Sequence, residues 1–249
     1  MEDKLMDYSY FQINEQALEV VFPEQINVEE NKLVQQVSQK LIEEETTGVT
    51  GVIPAYHTLT VNFDYDLTSF KLLEGQIDSL IASSSGENMS VKRIVELPVC
   101  YDEEFGPDLE DVAEFASVSV EKLIKLHTGT DYFIFMMGFL PGFAYMGSVP
   151  EQIAMPRLKV PRKSIAPGSV GIAGAQTGMY PVESPGGWRL IGRTPIQLYD
   201  RNNPVLKYKS GDYVRFKAVS KSEYYDIQKQ DQSGNYTLKT ITEGGDIND

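Results

Sequence analysis

The sequence is short of the residue types on which several protein classes depend. It has one cysteine, two histidines and one tryptophan among 249 residues. A single cysteine excludes an internal disulfide and predicts a reducing, cytoplasmic compartment. Neither His57 nor His127 has cysteine or carboxylate neighbours at metal-ligand spacing, so we expect no metal site. Cys100 ends an apolar run, which favours a small buried side chain over a nucleophile.

Long apolar runs and familiar catalytic motifs are also missing. No apolar run approaches membrane-spanning length, and the first residues lack the basic and apolar regions of a signal peptide. There is no GxxxxGKS/T phosphate loop and no GxSxG nucleophile turn, which excludes a P-loop ATPase and disfavours a serine hydrolase. A net charge of −14 argues against nucleic acid or an anionic membrane as a partner.

One stretch, residues 138–195, differs from the rest of the chain. It holds ten of the 20 glycines and eight of the 13 prolines, so its backbone makes many turns and close approaches. Six of its residues are basic and two acidic, a local balance of 6 − 2 = +4 within an acidic chain. Basic and aromatic side chains on such a backbone point to an anionic ligand.

Twelve residues of this region form the predicted site for a substrate or partner. Arginines bind carboxylates in a bidentate manner, neutral donors fix orientation, and aromatic rings supply walls. The set comprises the arginines Arg157, Arg162 and Arg193, the neutral polar residues Ser169, Gln176, Thr177 and Thr194, and the aromatic residues Phe139, Phe143, Tyr145, Tyr180 and Trp188. The same pattern also fits arginines solvated on the rim of an irregular barrel, with Trp188 a core residue. No catalytic residue is assigned.

The first hundred residues predict an α/β domain. Strands are expected at 17–22, 48–53, 57–64 and 91–100, and helices at 28–45 and 67–83. Asn27 precedes Glu30 by three residues, the spacing of a helix cap. His57 is expected to face outward. The order β-α-β-β-α-β predicts a ferredoxin-like domain over 1–100.

The rest of the chain, 101–249, predicts a second domain that opens with two short helices. Ser119 can cap the second helix and Gly129 can end it, while a cationic His127 would favour the helix dipole. Beyond residue 132 short strands alternate with Gly/Pro turns, which predicts a closed β-barrel. Strands are expected at 132–137, 188–191, 196–199 and 213–219, followed by a terminal hairpin within 222–242. The fold class is therefore α+β.

Several strings of the sequence resemble one protein family. These are GFLPGFAYMG from Gly138, GSVGIAGAQTGMYPVESPGGWRLIGRTP from Gly168, FGPDLEDVA from Phe105, KLIKLHTG from Lys122 and VIPAY from Val52. They resemble the family of 5-oxoprolinase B subunits, which also includes the sporulation-kinase inhibitor KipI and subunit 1 of allophanate hydrolase. The resemblance implies a small α/β domain followed by a cyclophilin-like β-barrel.

The resemblance also implies a function that this chain does not perform alone. It implies a subunit of an ATP-dependent 5-oxoprolinase, which opens the lactam of 5-oxoproline to glutamate together with a homologous second barrel subunit and a third subunit. ATP is then used in the assembled complex, at a site not located in this chain. Two alternatives remain open: a KipI-like inhibitor of a sensor histidine kinase, and a biotin-dependent carboxyltransferase or allophanate hydrolase subunit.

Overall fold

A computed structural model describes residues 7–84 and 91–244 of the chain. The chain divides into two compact units, Met1–Met89 and Ser90–Asp249. The sequence pattern predicts the boundary after residue 100 instead. The difference concerns the strand Lys92–Val99, which pairs with strands of the second unit and, among the residues described, with none of the first.

The described part of the first unit contains four strands and two helices. They are β1 (Ser9–Asn14), β2 (Ala17–Val21), α1 (Val28–Glu43), β3 (Val49–Pro54), β4 (Thr58–Phe63) and α2 (Phe70–Ser84). The Asn27 side chain caps α1 by accepting from the backbone N–H groups of Glu29 and Glu30. In β4 buried and half-buried residues alternate, as the polar/apolar alternation of the sequence predicts. His57 is half-buried just before this strand.

The first sheet has the strand order β1-β2-β4-β3, with every neighbouring pair antiparallel. Apolar residues of this sheet, among them Leu18 and Val61, form one core with Leu33 and Leu41 of α1 and Ile77 of α2. The ferredoxin-like arrangement is not confirmed. Its fourth strand was expected after the second helix, whereas the strand beside β2 is β1, from the beginning of the chain. The edge strand next to β2 therefore comes from a hairpin of β1 and β2, which are neighbours in the sequence.

The described part of the second unit contains ten strands, three α-helices and one 3₁₀ turn. They are β5 (Lys92–Val99), α3 (Leu109–Phe115), α4 (Val120–Thr128), β6 (Asp131–Met137), β7 (Ala144–Gly147), the 3₁₀ turn Glu151–Ile153, β8 (Arg162–Ile165), β9 (Ser169–Ala173), β10 (Gln176–Met179), β11 (Ser184–Gly186), β12 (Arg189–Arg193), β13 (Tyr213–Ala218), α5 (Lys221–Gln232) and β14 (Thr240–Glu243).

Eight of these strands form one curled sheet in the order β12-β9-β10-β7-β6-β13-β5-β14. The curl brings the edge strand β12 back to the end of β5, where Cys100 and Arg193 exchange two backbone hydrogen bonds of 2.9 and 3.0 Å. The two remaining strands, β8 and β11, form a separate ribbon. The expectation of a fold that contains both helices and sheets is met, and the sheet of the second unit is curled; the more specific closed, cyclophilin-like barrel stays a prediction.

The expected C-terminal hairpin is wrong, because residues 221–232 form the helix α5. Ser220 accepts from the Glu223 N–H, and the Glu223 carboxylate accepts from the Ser220 N–H in return. The expected strand at 196–199 is also absent from this described stretch. The N–H of Ile196 donates to the Thr194 hydroxyl and that of Gln197 to Asp231, so neither joins a sheet.

No helix in the described parts of the chain is both long enough and apolar enough to span a bilayer.

Candidate functional site

The predicted site residues lie in three places within the second unit. One group surrounds an aromatic cluster beside the β8–β11 ribbon. A second group lies where β9 and β12 run side by side. The third is inside the curled sheet, where Thr177 is fully buried. The glycine-rich stretch therefore does not form a single surface.

The aromatic cluster is a small core of its own, separate from the interior of the sheet. Phe143, Tyr180 and Trp188 pack with Ile165 and Leu190, and Tyr145 borders them. The Phe143 ring meets those of Trp188 and Tyr180 at centroid distances of 5.4 Å, edge to face in both cases. Trp188 is only 7% exposed. These rings are mainly structural, because burial removes most of their surface from any ligand.

Glycine makes room for Trp188 at two positions on neighbouring strands. A Cβ on Gly178 would lie 2.8 Å from the Ala144 carbonyl oxygen and 2.9 Å from the Trp188 ring. A Cβ on Gly171 would lie 3.1 Å from the Trp188 Cβ. The two glycines lie on the adjacent strands β9 and β10, so the space for this ring depends on residues distant from it in sequence.

Phe139 and Arg157 form the accessible rim of the cluster. Phe139 is 60% exposed, has a left-handed φ of 65° and meets Phe143 edge to face at 5.6 Å. Arg157 is exposed and lies against the backbone of Gly187. Burial raises the pKa of the Tyr145 and Tyr180 hydroxyls, and the nearby Arg157 charge opposes that rise. The rim thus presents one aromatic ring and one guanidinium to a ligand or partner.

Arg162 and Arg189 are held by carboxylates at the start of α3. Arg162 donates to Asp108 at 2.7 Å and, more weakly, to the Trp188 carbonyl at 3.4 Å. Arg189 lies 3.4 Å from the Asp111 carboxylate. The second Asp108 oxygen accepts from the Leu190 N–H at 2.6 Å. A substrate carboxylate at Arg162 would therefore compete with a buried aspartate that is already hydrogen-bonded through both oxygens.

Arg193 and Ser169 face each other across β12 and β9. Arg193 is half-buried, and its guanidinium carbon lies 5.1 Å from the centre of the Phe105 ring. Thr194 follows it and is buried, with its hydroxyl accepting from the Ile196 N–H. Among the described residues no carboxylate forms an ion pair with Arg157 or Arg193. These two arginines are therefore better placed than Arg162 to receive an anion.

Thr177 belongs to a buried chain of hydrogen bonds centred on His127. Tyr101 Oη lies 2.8 Å from His127 Nδ1, and His127 Nε2 lies 3.2 Å from Thr177 Oγ1. Thr177 donates its own proton to the Gly171 carbonyl at 2.9 Å. Thr177 must then accept from Nε2–H, which leaves Nδ1 to accept from Tyr101. These hydrogen bonds fix His127 as the neutral tautomer that carries its proton on Nε2.

His127 is consequently not the helix-end cation that the sequence suggested. It is fully buried, its ring stacks on Phe216 at 4.7 Å, and burial lowers its pKa to about 3. Desolvation of an imidazolium outweighs the modest gain from a helix C-terminus.

Gln176, which begins β10, is half-buried and pairs with Gly147 and Ala173. The structure therefore gives Thr177 an internal role and leaves Gln176 near the surface.

A cavity of about 400 Å³ lies next to the Arg193 region. Gly168, Glu183, Thr194, Tyr224 and Asp231 are among the residues that line it, whereas Arg193 itself does not. Sequence reasoning did not identify this cavity, because α5, which supplies Tyr224 and Asp231, was predicted as a hairpin. It also missed Asp108, although the string FGPDLEDVA carries part of the family resemblance.

In the parts of the chain with described structure, no three His, Cys, Asp or Glu side chains group closely enough to hold a metal ion.

Together these features define a mixed α/β protein whose larger unit contains a curled sheet, with basic and aromatic side chains outside the interior of that sheet. Residues 8–207 match the family described as "Carboxyltransferase domain, subdomain C and D". The 5-oxoprolinase B subunit of Bacillus subtilis is 38% identical over 234 residues, which cover 90% of this chain and 98% of that relative. The chain belongs to this carboxyltransferase-domain family, together with the 5-oxoprolinase B subunits, and the resemblance found in the sequence is confirmed.

Solved structures show the same fold inside longer chains. The crystal structure of TTHA0988 is 30% identical with a TM-score of 0.73, and the match covers 82% of this chain but 40% of that one. The Kluyveromyces lactis urea carboxylase is 16% identical with a TM-score of 0.77, covering 96% of this chain and 24% of that one. At 16% identity the likeness shows the fold alone. The chain thus spans less than half of either solved chain.

Proposed function

We propose that the chain is the B subunit of a cytoplasmic, ATP-dependent 5-oxoprolinase, which opens the lactam of 5-oxoproline to glutamate. The observation that carries this proposal is the match to the Bacillus subtilis B subunit over nearly its whole length. A relative described as a subunit supports an assembly with other chains. We propose the two partners that the resemblance implies, a homologous barrel subunit and a third subunit.

The chemistry of the second unit supports a binding role better than an autonomous catalytic one. His127 is enclosed, neutral and committed to two hydrogen bonds, so it is unsuited to exchange protons with a substrate. Burial raises the pKa of the Cys100 thiol, which disfavours the nucleophilic thiolate. Arg157 and Arg193 are the accessible groups suited to a carboxylate, the charged group of 5-oxoproline. Lactam activation by ATP is then assigned to the assembled complex and to no residue of this chain.

Omission of single subunits tests the proposal. The three purified subunits are combined, and glutamate formation from 5-oxoproline and ATP is measured with each subunit left out in turn. We expect glutamate only when all three are present. Unchanged glutamate formation without this chain would refute the subunit role.

The two alternatives predict different results with the same protein. A kinase inhibitor would suppress autophosphorylation of a sensor histidine kinase at stoichiometric concentration and leave glutamate formation unaffected. A carboxyltransferase subunit would support transfer from a carboxylated biotin carrier. The fold shared with urea carboxylase is compatible with the second alternative, but the sequence identity of 38% favours the oxoprolinase subunit.

A further inference from the structure

Phe139 combines two features that are unfavourable for the chain on its own. Its ring is 60% exposed, and its backbone has a left-handed φ of 65°, which bulky residues rarely adopt. The loop holds this conformation through backbone hydrogen bonds. The Gly138 N–H donates to the Phe143 carbonyl at 3.1 Å, and the Phe143 N–H donates to the Leu140 carbonyl at 3.0 Å. Backbone strain that displays an apolar ring to solvent points to a function outside the folding of this chain.

Buried rings beneath Phe139 restrict the direction of its side chain. Its ring meets Phe143 edge to face at 5.6 Å, and Phe143 in turn meets Tyr145 at 4.9 Å and Trp188 at 5.4 Å. Phe143 and Trp188 belong to the buried aromatic cluster, so packed side chains fill the space beneath the rim. Small-molecule sites are concave, whereas the residues that dominate protein interfaces are mostly aromatic or arginine side chains. The rim therefore suits a protein surface better than a small molecule.

Arg157 supplies the charge of the rim and is supported from one side. Its Nε and Nη2 atoms lie 3.2 and 3.1 Å from the position that a Cβ on Gly187 would take, so the guanidinium lies against the glycine backbone. The Leu158 N–H donates to the Gly187 carbonyl at 2.7 Å, which fixes the chain beside Arg157. The Arg157 charge opposes the burial-driven rise in the pKa of the Tyr145 hydroxyl, so the two groups are near each other. Among the described residues no carboxylate compensates this charge.

The segment that carries this arginine is basic and mostly exposed. Residues 156–163 read PRLKVPRK, with four cations and no acid in a chain of net charge −14. Arg162 has an ionic partner, whereas Lys159 and Lys163 are exposed and form no ion pair within the described structure. Val160 between them is 79% exposed. Uncompensated cations beside exposed apolar groups are complementary to an acidic protein surface with an apolar centre.

We propose that the rim is the contact surface for an acidic partner chain, with Arg157 paired to a partner carboxylate and Phe139 inserted among apolar side chains of the partner. A second copy of this chain fits less well. Its acidic residues lie elsewhere on the surface, so the contact would be head to tail and would not close into a dimer. If the chain is the proposed B subunit, the partner is one of the two other subunits; that identity rests on the proposed function. Arg157 then serves assembly rather than substrate binding.

Titration of the full-length chain with each purified partner subunit tests this surface. Affinity is measured by calorimetry at low and high salt, and the melting temperature shows that each variant is folded. We expect one subunit to bind, with an affinity that falls as salt rises. Arg157→Gln should weaken binding by about tenfold or more and reduce its salt dependence, and Arg157→Glu should weaken it further through repulsion. Phe139→Ala should also weaken binding by about tenfold or more, as expected for an aromatic anchor.

Matched controls show whether these losses belong to the rim. Lys122→Glu reverses an exposed cation on α4, and Phe115→Ala removes a ring on α3 that is 49% exposed. Both should bind as the wild type does. If a subunit binds the wild type but binds Arg157→Glu and Phe139→Ala equally tightly, or if the controls lose as much affinity, the surface is wrong and the proposed function stands. If neither subunit binds the wild type, the proposed function and this partner both fail. Self-association of the wild type that Arg157→Glu abolishes would assign the rim to a second copy and overturn the proposal.

Discussion

Arg162 donates to Asp108 at 2.7 Å, and the other oxygen of Asp108 accepts from the Leu190 N–H at 2.6 Å. The aspartate is 3% exposed and so ties α3, β8 and β12 together from the inside. Arg162 had the sequence context of a substrate anchor. Its partner shows that the charge already serves to compensate a buried carboxylate, which is costly to leave unpaired.

Removal of Asp108 should therefore destabilise the second unit. Asp108→Ala leaves Arg162 without its ionic partner and the Leu190 N–H without its acceptor, so we expect the free energy of unfolding to fall by about 2–4 kcal/mol. Urea denaturation followed by tryptophan fluorescence measures this, since Trp188 lies close to Leu190 in the chain. Asp111→Asn is the matched control: its carboxylate is exposed, and the change should stay within about 0.5 kcal/mol.

The double variant separates a pairwise interaction from two independent effects. If the ion pair is the shared contribution, Asp108→Asn and Arg162→Gln should be non-additive by about 1–3 kcal/mol. Additive losses would show that the contact between the two side chains contributes little. Arg162 would then be available again as a ligand anchor.

His127 predicts a specific pH dependence of stability. Its pKa is lowered to about 3 in the folded protein by burial, whereas the unfolded chain binds the proton near the ordinary value of 6.5. The unfolded state therefore holds more protons between these values. The stabilisation is fully present above pH 6.5 and is lost as the pH falls toward 3.

The contribution of His127 can be separated from that of the other titrating groups by comparing how the free energy of unfolding changes with pH in the wild type and in His127→Gln. Between about pH 6.5 and 5.5 the free energy of unfolding of the wild type should fall by about 1 kcal/mol more than that of His127→Gln. ¹⁵N NMR of the imidazole should show the Nε2–H tautomer in the folded protein. Equal slopes, or a protonated ring at about pH 6, would contradict the buried hydrogen-bond chain through Tyr101 and Thr177.

Replacing Gly178 with alanine should lower the stability of the protein, whereas replacing Gly75 with alanine should raise it. Gly178→Ala places a Cβ against the Ala144 carbonyl and the Trp188 ring, so we expect a loss of about 1–3 kcal/mol from overpacking. Gly75 lies within α2, and a Cβ there would meet nothing within 4 Å. Gly75→Ala should stabilise the first unit by about 0.5–1 kcal/mol through helix propensity. Thermal unfolding of both variants shows whether each substitution raises or lowers stability. An unchanged stability of Gly178→Ala would mean that Trp188 has room to move.

The sequence predicted local elements better than their partners. α1 and α4 have periodic apolar faces and the polar caps Asn27 and Ser119, both of which are present in the structure. The strand Lys92–Val99 was also expected. Its sheet was not, because its partners β13 and β14 lie far along the chain and no local pattern specifies that pairing.

The error at α5 had a detectable signal. Ser220 and Glu223 stand at the spacing of a reciprocal helix cap, yet the turn-forming residues around Gly234 suggested a hairpin. The sequence could not rank the arginines of the predicted site, for a different reason. Charge and residue type identify arginines, but only the fold shows that Arg162 meets Asp108 while Arg193 meets no carboxylate in the described chain. Residue composition alone does not distinguish a compensated cation from an available one.

The most direct measurement of the central claim is the rate of ATP-dependent glutamate formation as this chain is titrated into its two partner subunits. The account predicts that glutamate formation rises in proportion to the chain and levels off at a fixed stoichiometry, and that Arg193→Gln assembles with the partners but forms little glutamate. Glutamate formation that is already maximal before the chain is added would contradict it.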